Sequence, residues 1–84
     1  MLAKLHGVRP LDFTAQDGKQ VRGTQLFISF EEQGVTGHAT DKLFVRQDIE
    51  LPKKMQVGKD LDIYFDRKGK VEAVYDSEQT ALYE

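Results

Sequence analysis

The sequence predicts an all-β fold, and three observations carry that prediction. Apolar and polar residues alternate along several short runs, the period-two signature of strands. Turn signals at Asp17-Gly18, Gln33-Gly34, Gly37, Val57-Gly58 and Arg67-Lys68-Gly69 cut the chain into pieces of strand length. No long helix fits between them.

The first strand runs from about Leu2 to Phe13, bent or bulged near Gly7 and Pro10, because a proline has no N–H to give to a central ladder. The second runs from about Gln20 to Glu32. Their connection, Ala15 to Lys19, puts Gly18 where a type I turn with a bulge needs positive φ, so these two strands form a hairpin. A third strand follows from about Ala39 to Arg46. The segment QDIELPKKMQVGKDL is less regular; a short helical turn is expected around Lys53 to Met55, with Pro52 and Gly58 leaving room for little more. In the closing hairpin Leu61, Ile63 and Phe65 alternate with Asp62, Tyr64 and Asp66. The turn Asp66 to Lys70 then leads into Val71, Ala73 and Tyr75, which sets Tyr64 and Tyr75 as a cross-strand pair. Five short strands with one exposed face predict a small OB-like Greek-key barrel with prominent hairpins, and an SH3-like barrel uses the same pattern. The barrel domain is expected to span residues 1–76, ahead of an acidic end at 77–84.

Composition narrows the function. A chain of 84 residues is one domain, and at this size only about 60% of the unfolded surface is buried. It contains no cysteine, so neither a disulfide nor a thiolate metal site supports the fold, and a reducing compartment is expected. No apolar run approaches a membrane span and the start of the chain lacks a secretory pattern, so the chain is expected to be whole and cytoplasmic, without a membrane partner. The formal charge is −2, but all 12 cations fall within residues 1–70, together with 10 of the 14 acids. The body is slightly basic and the end acidic.

The informative segment is Phe13 to Arg46. Leu26, Ile28 and Phe30 share one face of a strand, which turns Phe27 to the other; Leu43 and Val45 likewise oppose Lys42, Phe44 and Arg46. Aromatic rings and cations projected from a small sheet suit single-stranded nucleic acid, whose bases stack while its phosphates are neutralised. The candidate binding residues are Lys19, Arg22, Phe27, Lys42, Phe44 and Arg46. Packing in a second small core or a dimer interface is the competing reading for the two phenylalanines, and ordinary solvation for the cations. Lys53, Lys54 and Lys59, on the irregular segment, are read as solvated.

The arrangement of Phe13-Thr14, Gly18, Gly23, the alternating strand around Leu26 and Ile28, and Leu43-Phe44-Val45-Arg46 resembles the single-stranded DNA-binding proteins of filamentous phages. The resemblance covers residues 5 to 46. It implies a small dimeric OB-like protein that coats single strands cooperatively, with little sequence preference, during replication of a phage, plasmid or conjugative element. It also implies replication or transfer proteins as further partners. The hairpin from Phe13 to Gly23 would then be the DNA-binding wing, and Arg46 a strand residue that meets phosphate. There are departures. Gln16 and Val21 stand where the family carries wing arginines, with Lys19 and Arg22 displaced nearby, and a one-residue displacement on a strand reverses the face. Leu26 stands at the family's stacking tyrosine, beside Phe27, and Arg67-Lys68-Gly69-Lys70 is a shortened dimerisation loop.

Enzymatic chemistry and cofactors are not expected. His6 and His38 have no spaced acid or cysteine partners of a metal motif, and Ser29 and Ser77 lack a glycine-flanked elbow. Asp60 and Asp62 are read as solubilising acids on the wet side of a strand, while Gly34 and Gly37 lack the lysine and helix start of a phosphate loop. Two functions remain: a binder of single-stranded DNA, with RNA as the related ligand, or a protein-interaction module without nucleic-acid affinity.

Overall fold

The computed structural model describes residues 1–53 and 55–77. The chain forms five strands, β1 (Leu2–Thr14), β2 (Gln20–Phe30), β3 (Ala39–Arg46), β4 (Asp60–Phe65) and β5 (Val71–Asp76). All neighbours are antiparallel in one sheet of order β3-β2-β1-β4-β5. The all-β class is the one that alternation and turn spacing predict. Lys54 and the acidic end from residue 78 lie outside the described residues.

The sheet is not closed into a barrel. Edge strands β3 and β5 approach one another, with Cα pairs within 8 Å, but no ladder joins them; a ladder needs strands about 4.8 Å apart. β1 holds the two halves together. It pairs along most of its length with β2, and through Leu2↔Asp62, Ala3↔Leu61 and Lys4↔Asp60 with β4. Leu5 prolongs that seam, donating its N–H to the Lys59 carbonyl at 3.0 Å and accepting from the Gly58 N–H at 2.8 Å.

Local chemistry sets the hairpins. Between β1 and β2 the Gly18 N–H donates to the Ala15 carbonyl (2.9 Å) and the Ala15 N–H to the Lys19 carbonyl (2.8 Å). Gly18 sits at φ +86°, the left-handed conformation that a side chain would strain. The β4–β5 turn repeats the pattern from Asp66 to Lys70, and the Asp66 carboxylate accepts from the Lys68 and Lys70 N–H groups at 2.9 and 3.0 Å.

β1 carries one β-bulge, between Leu5 and Gly7, so His6 has no cross-strand partner. The expected irregularity is therefore at the glycine and not at the proline. Pro10 pairs in register with Thr24; past Leu5, β1 has no β4 partner on its other side, and an edge accommodates a proline.

The core consists of Ala3, Leu5, Leu26, Ile28, Val45, Leu61, Ile63, Val71 and Val74, with Phe30, Leu43, Ile49, Leu51 and Met55 packed against it. A fully buried Leu or Ile contributes about 1.5–3 kcal/mol, so the inner faces of all five strands stabilise the sheet. Where a short helical turn was expected, the Met55 N–H donates to the Pro52 carbonyl at 3.3 Å, a single turn.

Candidate nucleic-acid interface

Paired residues of an antiparallel ladder point to the same side, so the register assigns the outward face of β1, β2 and β3. Its rows are Lys4, Ser29, Thr40; then Gly7, Phe27, Lys42; then Arg9, Gln25, Phe44; then Leu11, Gly23, Arg46; and last Phe13, Val21 on the hairpin stem. Phe27, Lys42, Phe44 and Arg46 therefore share one face, as alternation predicts. No Asp or Glu occupies an outward position in these rows, whereas Lys4, Arg9, Lys42 and Arg46 do. The cation excess of the chain's body is concentrated here.

Both central rings are seated on glycine. A Cβ on Gly23 would stand 2.6 and 2.8 Å from the Phe44 ring and 2.3 Å from the Val45 carbonyl oxygen, and one on Gly7 would stand 3.4 Å from the Phe27 ring. Missing side chains on one strand let the aromatic side chains of the next lie against the sheet. Phe44 is nevertheless 39% exposed, and Phe13, on the same face, 49%. Phe27 and Phe44 are diagonal neighbours, since Phe27 pairs with Lys42 and Phe44 with Gln25.

Two candidate cations stand elsewhere. Lys19 is at the hairpin tip, where its backbone N–H donates to the Asp17 carboxylate at 3.1 Å. Arg22 pairs with Asp12 and shares the parity of Leu26, so it points to the core side of the sheet, where the stem has outrun the core. There its Nε lies 3.3 Å from the Asp12 carboxylate, which also accepts from Gln20 Nε2 at 2.5 Å. Arg46 Nε lies 3.5 Å from the Asp48 carboxylate. Arg22 and Arg46 meet only at the end of β3, where both line a cleft of about 310 Å³ with Asp12, Thr24, Ile49 and Leu51.

The sequence reading missed Arg9. Its guanidinium carbon is 5.4 Å from the centroid of the Phe27 ring, and Nε and Nη2 both donate to Gln25 Oε1, the Nε bond at 3.0 Å. The bulge at His6 puts Arg9 there: counted without a break from Ala3 and Leu5, residue 9 would point into the core. The signal in the sequence is the break in that alternation at Gly7.

The fold also joins His6 to Ser29, with Nε2 2.6 Å from Oγ. A serine nucleophile needs backbone N–H donors at the developing oxyanion. Ser29 lies in β2, between partners Lys4 and Thr40 on either side, where N–H groups serve the ladders. The contact instead satisfies a buried hydroxyl beside a bulge. Among the described residues no group of three or more His, Cys, Asp and Glu is placed to hold a metal ion.

The outward face of β4 and β5 has the opposite character. It carries Asp60, Asp62, Tyr64, Ala73 and Tyr75, and no cation. The tyrosine rings meet edge to face with centroids 5.6 Å apart, and the Tyr64 hydroxyl donates to Asp62 at 2.8 Å. The expected cross-strand pair is thus present, one step diagonal to direct register.

No family model, curated protein or solved structure matches this chain. No helix among the described residues is long and apolar enough to cross a membrane.

Proposed function

We propose that this protein binds single-stranded DNA with little sequence preference, as a non-enzymatic coating protein in the cytoplasm that serves replication or transfer of a mobile element. One observation carries the reading: the outward face of β1–β3 combines Phe13, Phe27 and Phe44 with Lys4, Arg9, Lys42 and Arg46, and the carboxylates near it stand at its margins, Asp60 opposite Lys4 and Asp48 beside Arg46. Rings without hydrogen-bonding groups offer stacking that any base can use, at about 1–3 kcal/mol per base. The cations neutralise backbone phosphates, and acids would oppose both.

The track also has a length. Outward residues on a strand recur every ~6.7 Å, so the rows from Phe27 to Phe13 span about 20 Å. At about 3.4 Å per nucleotide in helical form, and more when extended, that corresponds to about four to six nucleotides per protomer, within the range of OB-type sites. The five strands in this order support an OB-like reading of the sheet, whose β2–β3 face is the customary strand-binding surface of that fold. The homodimer belongs to the same proposal through the phage-protein resemblance, as do replication or transfer partners.

The deciding experiment is fluorescence anisotropy of labelled oligothymidine, at two salt concentrations and with duplex as competitor. Salt-sensitive binding that duplex does not displace is expected, and an oligouridine arm compares RNA. Absence of binding even at low salt would leave the exposed rings to a protein partner. Sedimentation of the same samples reads the dimer.

A further inference from the structure

We propose that Arg9 is an exchange latch on this face: held over Phe27 in the free protein, it yields the ring to an incoming base and takes up the neighbouring phosphate. The inference rests on the strand-binding reading above. Its grounds are geometric. Phe27 has the sheet beneath it, at Gly7, and the Arg9 guanidinium over the ring, so a base cannot stack there while the guanidinium stays.

The guanidinium is held by neutral partners alone, a ring and an amide oxygen. Among the described residues the other arginine side chains found in ion pairs, Arg22 and Arg46, have Asp12 and Asp48, and no carboxylate lies within 4 Å of Arg9. Its charge is therefore unpaired by a carboxylate, and its hold is an exposed cation–π contact with two solvent-exposed hydrogen bonds to one amide oxygen. A phosphate offers the planar fork a bidentate, charge-assisted partner, the stronger of the two kinds of contact. Exchange thus trades the ring contact and the two hydrogen bonds to Gln25 Oε1 for a base on the ring and a bidentate guanidinium–phosphate pair.

An exchanging arginine behaves differently from an ordinary surface cation. Removing it loses one phosphate contact but also uncovers the ring. Arg9→Ala is expected to lower the slope of log K against log salt by about 0.7, roughly a threefold change in relative affinity over a fivefold change in salt. At high salt, where the phosphate contact has faded, R9A is expected to bind oligothymidine about two- to fivefold more tightly than the parent, the size of an exposed cation–π contact turned into affinity. The two salt plots then cross. Lys42→Gln lowers the slope without a crossing, and R9K restores it.

A second readout needs no variant. The Arg9 Hε resonance is expected to show the ring-current shift of Phe27 in the free protein and to lose it on saturation with oligothymidine. An unchanged slope in R9A, or an Hε that keeps its shift at saturation, overturns the latch while leaving strand binding intact. Failure of the parent protein to bind oligothymidine at low salt overturns the strand-binding reading itself, and the latch with it.

Discussion

The two halves of the outward surface are built alike and charged oppositely. On β1–β3, phenylalanines lie on glycines among cations, and on β4–β5, tyrosines lie among aspartates. The comparison teaches that a formal charge of −2 says little about such a protein, because the sheet sorts its charges by strand. It also separates two uses of an aromatic ring. Tyr64 donates its hydroxyl to Asp62 and meets Tyr75 edge to face, so its ring belongs to a local network. Phe27 and Phe44 have no polar group to satisfy.

The sharpest way to break the contrast is to remove the rings from one side. Replacing Phe27 and Phe44 together by Ala is expected to weaken oligothymidine binding by about 2–6 kcal/mol, thirtyfold or more, while the far-ultraviolet spectrum stays that of the parent. If the double variant unfolds instead, the rings are core, and the contrast between the halves loses its functional meaning. Next in size is Gly23→Ala. Its Cβ meets both the Phe44 ring and the Val45 carbonyl, so a stability loss of about 1–3 kcal/mol is expected from urea titration. Weaker strand binding should accompany it, and an unaltered urea midpoint would show that the seat is not needed.

Smaller effects sharpen the electrostatic side. Lys42→Gln and Arg46→Gln should each reduce the salt slope by about 0.7. Lys19→Gln and Arg22→Gln should change it less, since neither residue projects from the aromatic face; equal slopes for all four would dissolve the distinction between faces. The smallest effect is expected on the acidic half. Tyr75→Ala and Asp60→Asn should leave oligothymidine affinity within about threefold of the parent, under 1 kcal/mol, and a larger loss would extend the site across the whole sheet.

Much of this was legible in the sequence because the rules involved are local. Period two placed Phe27, Lys42, Phe44 and Arg46 on one side, and turn chemistry placed Gly18. Arg22 was legible too: it lies four residues from Leu26, on the core side by parity, and only its closeness in sequence to the aromatics argued for the track. Arg9 was not legible, because its direction depends on where the bulge falls. A single unpaired residue, His6, reverses every side chain from Gly7 to Phe13. Nor does local pattern reveal closure. Whether β3 and β5 join depends on the summed twist and curl of five strands, and in this sheet they stop short.

The narrow seam between β1 and β4 also divides the molecule in time. Beyond the shared core, three residue pairs, the Leu5 contacts and the Met1 bonds to Ile63 and Asp62 attach the β4–β5 hairpin, whereas β2 is laddered on both sides over most of its length. Amide hydrogens of β4 and β5 should therefore exchange through a partial opening, well before those at the centre of β2, which await global unfolding. The aromatic, cation-bearing rows lie wholly on the slower-exchanging unit, so transient parting of the hairpin leaves that surface assembled.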